Sequence, residues 1–179
     1  MKPYQYQFRK GRRKVSWKQF HQMCQRLSSK VSGDNSDIII GIARAGLYPA
    51  TLVAGMLRKE FFPVRVTRRE NDKIKWKKPI WKIDVPNDVK GAKILVIDDV
   101  CDSGETLSIL ARRVKEKGAK QVNTAVLIAH SWAKPKPNYE ATKSDKCVIF
   151  PWDTQILVDG KWRLHPELAG GMKSQKHKK

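Results

Sequence analysis

The stretch AKILVIDDVCDSGETL, residues 92–107, sets a short apolar run directly ahead of three aspartates and a Ser-Gly-Glu-Thr turn. An apolar run of that length without alternation fits a strand covered on both faces, as in a parallel sheet. Helices must then lie above and below it. Leu107, Leu110, Ala111 and Val114 recur at helical spacing behind the turn, with cations in the closing KEKG and Gly118 as the stop.

The rest of the chain repeats that alternation. Trp17, Phe20, Cys24, Leu27 and Val31 mark a helix over 16–31, and Ser16 with Gln19 has the spacing of a capping box. A strand over Ile38–Ile42 leads through a Gly-bearing turn into a helix from about Leu47 to Lys59, with Pro49 in its first turn, where a missing N–H costs little. FFPVRVT alternates as a strand, a further strand is expected near Ile80–Asp84, VNTAVLIA is another, and CVIF a shorter one. Residues 68–79, RRENDKIKWKKP, are strongly charged and without sustained period, and predict a mobile loop. The order predicts an α/β fold: an open, mostly parallel twisted sheet with right-handed crossovers and flanking helices.

A chain of 179 residues supports one domain, expected over 1–168 with its core at 15–153. Residues 169–179, a Gly pair and a basic run, predict a disordered tail. No apolar run reaches the length of a membrane span, so a cytoplasmic protein is expected. Cys24, Cys101 and Cys147 are far apart, with no zinc spacing, and predict free thiols. Lys and Arg number 37 against 17 Asp and Glu, a net charge of +20 that favours nucleic acid or a heavily phosphorylated small molecule as partner.

In open α/β sheets ligands collect beyond the carboxyl ends of the strands. Asp98, Asp99, Asp102, Ser103, Gly104, Glu105 and Thr106 stand there, at the start of a helix whose first amides lack intrahelical partners. Such a turn holds phosphate through its N–H groups and hydroxyls. The aspartates would repel that phosphate unless they meet ribose hydroxyls or a hydrated magnesium ion.

VIDDVCDSGET resembles the phosphoribosyl pyrophosphate (PRPP) motif of type I phosphoribosyltransferases. GIARAGLYPA is similar to that family's pyrophosphate loop, and CVIFPWD to the base-side segment of its xanthine/hypoxanthine-guanine branch. The resemblance implies that fold, with a small hood from the chain ends, and transfer of the 5-phosphoribosyl group to N9 of a purine, a 6-oxopurine favoured, with Mg2+ as cofactor. It implies that Asp98 and Asp99 engage ribose hydroxyls and magnesium, that Asp102 faces purine N7, and that Ser103, Gly104, Glu105 and Thr106 hold the 5'-phosphate. Ala43, Arg44, Ala45 and Gly46 would hold pyrophosphate. Arg68, Arg69 or Lys73 would close over it, with Arg69 taken as the catalytic choice. Cys147 and Val148 fall at the base, and a dimer or tetramer is implied.

Two positions depart from the branch. His130 stands where the branch has a lysine that reads the purine 6-substituent, and a histidine donates or accepts according to tautomer. Cys147 stands where the branch has a tryptophan, and loss of that stacking face removes about 1–3 kcal/mol. Trp132, Trp152 and Tyr139 are candidates to replace it. The Lys–Trp interleaving of KIKWKKPIWK keeps a second reading in view, an RNA-binding regulator on a phosphoribosyltransferase scaffold, beside a phosphoribosyltransferase for a non-purine base.

Overall fold

The computed structural model describes Arg9 and residues 11–70 and 73–164; the expected basic tail lies outside the described residues. In chain order the elements are β1 (Arg12–Lys14), α1 (Trp17–Val31), β2 (Ile38–Ile42), α2 (Leu47–Leu57), β3 (Glu60–Thr67), β4 (Arg69–Glu70), β5 (Lys73–Ile74), β6 (Ile80–Ile83), β7 (Lys93–Cys101), α3 (Glu105–Glu116), β8 (Gln121–Ala129), β9 (Tyr139–Lys143), β10 (Cys147–Ile149), β11 (Gln155–Val158) and β12 (Lys161–Leu164). The described residues form two compact units, one drawn from 22–144 and one from 9–21 together with 145–164.

The first unit is built on a six-stranded sheet in the order β6-β3-β2-β7-β8-β9. Its neighbours run parallel except β6, which lies antiparallel to β3 at one edge. The central strands are the apolar runs of the sequence: all five residues of β2 and Ile94–Ile97 of β7 are buried. Helix α2 comes close to the sheet at Gly41, where a Cβ would lie 2.7 Å from the Ala50 Cβ. Leu107, Leu110 and Val114 of α3 join the same core as Val96 and Val126. Asp84, just past β6, receives Arg113 Nε of α3 at 3.0 Å, and this hydrogen bond holds the Asp84 carboxyl well below the usual carboxylate range.

The second unit holds the expected capping box: Ser16 N donates to Gln19 Oε1 at 2.9 Å and Gln19 N to Ser16 Oγ at 3.2 Å. Parallel pairing of β1 with β10 and the hairpin β11–β12 complete it. Phe150 stacks on Trp152 at 4.6 Å, and Phe20 meets the Trp152 ring edge-on at 5.1 Å.

Several expectations change. Trp17 opens the apolar stripe of α1 yet stays 57% exposed. Helix α2 stops at Leu57 because Arg58 turns left-handed, φ 55°, two residues before the expected end. The segment 68–79, expected as a mobile loop, carries the short ladder β4–β5, closed by Arg68 O accepting from Lys75 N at 2.8 Å. Two-residue strands are too short to show a period. Strand β7 runs on through Asp98 and Asp99 to Cys101, because the ladder to β8 continues past the apolar residues. Strand β9, along the sheet edge, was not expected at all. Among the described residues no helix is long and apolar enough to cross a membrane.

Candidate active site

The carboxyl ends of β2 and β7 lie side by side, since the two strands pair from Ile38↔Ile94 to Gly41↔Ile97. The turn after β2 and the last residues of β7 therefore face one another across one sheet end. Ala43, Arg44, Ala45 and Gly46 form that turn, with a cis peptide between Ala43 and Arg44. Ala43 N donates to Val64 O at 2.7 Å, which ties the turn to β3, and Arg44 is exposed. Gly46 is buried where the turn enters α2. A Cβ there would stand 2.5 Å from Asp98 Oδ1, 2.6 Å from Ile42 O and 3.0 Å from Asp98 Cα. Only glycine lets the turn approach Asp98 this closely.

Asp98 and Asp99 are adjacent and only partly exposed, with Asp99 N donating to Asp98 Oδ1 at 2.9 Å. Burial, then the neighbouring Asp99 carboxylate, holds the Asp98 carboxyl well above the ordinary range; burial raises Asp99 as well. Two carboxylates placed so that ionisation is opposed gain from a cation or from hydroxyl donors. Among the described residues no group of three or more His, Cys, Asp or Glu could hold a metal by itself. That donor set fits magnesium, which keeps waters and takes one or two carboxylates together with substrate phosphates.

Asp102 is the first residue past β7. Ser103 Oγ accepts from Glu105 N at 3.3 Å, and Gly104, φ 86°, caps α3, with Glu105 and Thr106 as its first residues. The loop is braced from the far side: Lys134 N donates to Ser103 O at 2.9 Å. A Cβ on Gly104 would collide with Pro135 O and lie 2.9 Å from both Lys134 C and Pro135 N. The turn at the start of α3, whose first amides lack intrahelical partners, is thus shaped by a segment about thirty residues downstream.

His130, placed at the base by sequence reasoning, is 3% exposed. Its Nδ1 lies 2.5 Å from Ser144 O and its Nε2 3.9 Å from Asp102 Oδ1. Trp132 stacks on it at 4.3 Å and donates Nε1–H to Asp102 Oδ1 at 3.3 Å. The candidates to replace the missing tryptophan are all engaged. Trp132 is on His130, Trp152 is in the second unit's aromatic cluster, and Tyr139 donates its hydroxyl to Asp34 Oδ1 at 3.4 Å. Cys147 and Val148 belong to that second unit, on β10 opposite Arg12 and Arg13, and Arg9 donates to Cys147 Sγ at 3.6 Å. Arg69 opens β4, its amide donating to Thr67 Oγ1 at 3.0 Å, and Arg68 donates Nε–H to Trp76 O at 3.1 Å. The clamp of Trp132 on Asp102 escaped the sequence reading. It depends on register, because residues that follow the ends of two adjacent parallel strands come out beside each other only once those strands are paired.

The chain is similar to known proteins over most of its length. A xanthine-guanine phosphoribosyltransferase of Cereibacter sphaeroides is 28% identical over 159 residues, covering 79% of this chain and 87% of that protein. An adenine phosphoribosyltransferase of Thermotoga petrophila is 25% identical over 138 residues, covering 73% and 81%. The crystal structure of a purine phosphoribosyltransferase from Pyrococcus horikoshii Ot3 superposes with a TM-score of 0.73 at 28% identity, over 83% of this chain and 98% of that one. Residues 16–159 match the phosphoribosyl transferase domain model, and the chain belongs to that family of transferases.

Proposed function

We propose that the protein transfers the 5-phosphoribosyl group of PRPP to N9 of a purine, releasing pyrophosphate and a nucleoside monophosphate. The observation that carries this reading is the contact of Gly46 with Asp98, which packs the pyrophosphate turn against the acidic end of β7. A substrate bearing a diphosphate on one side of a ribose and a phosphate on the other needs both grips within one molecule's length. The relative named for xanthine and guanine supports a 6-oxopurine, and the relative named for adenine keeps a 6-aminopurine in the test.

The ends of the substrate are gripped by different elements. The amides and hydroxyls of Ser103–Thr106 take the 5'-phosphate at the start of α3. Asp98 and Asp99 take the ribose hydroxyls and hold magnesium jointly with the substrate, and magnesium when bound offsets charge on the diphosphate. Ala43–Gly46 bind the leaving pyrophosphate through backbone amides and the Arg44 guanidinium. Closure of β4–β5 over it would bring Arg69 in and exclude water. As the C1'–oxygen bond breaks and the C1'–N9 bond forms, Asp102 accepts the proton leaving N7, so that the product base is neutral.

The test is a panel of hypoxanthine, guanine, xanthine, adenine, uracil and orotate, each with PRPP and magnesium. Nucleotide formation from a purine is expected; turnover of none of the purines overturns the proposal. The nucleic-acid reading loses ground at its own motif. Lys75 and Lys82 sit over the Trp76 ring at 5.3 and 5.0 Å, and Glu70 pairs with both lysines, so the indole and its cations are already engaged with one another. Gly104→Ala is expected to raise the KM for PRPP about tenfold, since a positive φ and a backbone collision together cost on the order of 1–3 kcal/mol. An unchanged KM would mean that the turn does not grip the phosphate.

A further inference from the structure

We propose that His130 is a positioning residue for Asp102 and does not read the base. The inference rests on the proposed role of Asp102 as acceptor of the N7 proton. Four observations converge on it. First, register: Cys101 and Ala129 are partners in the β7–β8 ladder, and His130 N donates to Cys101 O at 3.2 Å, which carries the pairing one step further. Asp102 and His130 therefore leave the sheet as neighbours, by the geometry of two parallel strands. Second, access: the His130 side chain is only 1% exposed. A group that must meet an incoming base does not lie so deep.

Third, the tautomer is fixed. A carbonyl oxygen can only accept, so the 2.5 Å contact with Ser144 O puts the hydrogen on Nδ1. In the neutral ring Nε2 is then an acceptor, and it lies 3.9 Å from Asp102 Oδ1, so that a small shift brings the two into hydrogen-bond distance. An ionised carboxylate has nothing to give it. When the N7–H bond breaks and an O–H bond forms on Asp102, the resulting carboxylic acid does have a hydrogen to give. The contact is better after the proton has moved than before, which is the differential interaction that assists a chemical step. Fourth, Trp132 stacks flat on the imidazole, 14° between planes, and donates to the same Oδ1. Ring and carboxylate are thereby held in one arrangement, with the Ser144 carbonyl as anchor.

Two substitutions separate the parts of the ring. His130→Asn keeps a donor where Nδ1 was but cannot reach Asp102; His130→Gln can place its amide Oε1, an acceptor, where Nε2 was and reach it. With the purine that the wild type uses best, His130→Asn should lower kcat about tenfold, a fraction of what a general base contributes, with the KM for PRPP and for base within about twofold. His130→Gln should recover most of the loss. Trp132→Phe, which keeps the stack and removes the donor, should also lower kcat without moving either KM, and it serves should the His130 variants fail to fold. A loss carried in the KM for base, with a changed ratio of 6-oxopurine to adenine turnover, would overturn the inference in favour of base reading. So would an unchanged kcat in His130→Asn or Trp132→Phe. Nitrogen-15 NMR of the wild-type imidazole is expected to show the hydrogen on Nδ1, and a hydrogen on Nε2 alone would also overturn it. That measurement needs no turnover, so it tests the tautomer on which the inference is built even if no purine proves to be a substrate, a result that would count against the proposed function and the Asp102 role and not against the tautomer.

Discussion

Asp102→Asn is expected to lower kcat by about 100-fold, the lower end of what a positioned general base contributes, while the KM for PRPP stays within about twofold. The reasons are local. Asn keeps an Oδ1 for the Trp132 indole to donate to, so the loop should keep its shape. What it lacks is an oxygen that can take and hold a proton, so N7 must give its hydrogen to water or keep it. Asp102 is also not among the residues proposed to grip the sugar and the phosphate, and for that reason PRPP should bind as before. Steady-state kinetics at saturating base, with PRPP varied, separate the two parameters. Unchanged turnover would remove Asp102 from the reaction; a loss carried wholly in the PRPP KM would move it to the sugar side of the site.

The double substitution Asp98→Asn with Asp99→Asn should act in the opposite way, on binding and on stability together. Each carboxylate is expected to accept a charge-assisted hydrogen bond from the ribose, worth roughly 1.5–3 kcal/mol. Loss of both should weaken PRPP by 100-fold or more in calorimetric titration with magnesium present, and wild-type affinity would end the assignment. Without ligand the same change should stabilise the protein. Both carboxyls are raised above the ordinary value of 3.8 in the folded chain, so the folded state binds more protons than the unfolded one between that value and the raised one. Stability is therefore lost as pH rises from the ordinary carboxylate range through the raised folded value. The amides do not ionise and escape that loss. Melting temperatures of wild type and double variant should accordingly lie close together near pH 4 and diverge, variant higher, toward pH 8. A variant that melts lower at pH 8 would show that the pair supports the fold in its free state.

How much of this could be read from the residues depends on how far apart the cause and the effect lie. The apolar runs at Ile38–Ile42 and Ala92–Ile97 announced central strands because burial on both faces leaves no other composition open, and the helix at 105–116 followed from its spacing. The capping box at Ser16 and Gln19 was visible because both partners fall within four residues. The PRPP-like turn was visible because its chemistry is contiguous. What stayed hidden was non-local. That His130 faces Asp102 depends on the register of two strands, and register is set by the whole sheet. That Ser144 fixes the His130 tautomer depends on backbone beyond β9, an edge strand with no clean alternation, Tyr139–Lys143 being half-buried over most of its length. The ladder β4–β5 was invisible for a different reason: two paired residues on each side carry no period to detect.

The fit of Gly104 against the Lys134–Pro135 peptide means that the turn 102–106 and the segment 130–136 cannot be exchanged separately. Replacing residues 130–136 by another enzyme's segment would also recast the mould in which the turn 102–106 is shaped. Such a chimera should lose the proposed grip of the turn on phosphate, unless the turn travelled with the graft as a single cassette.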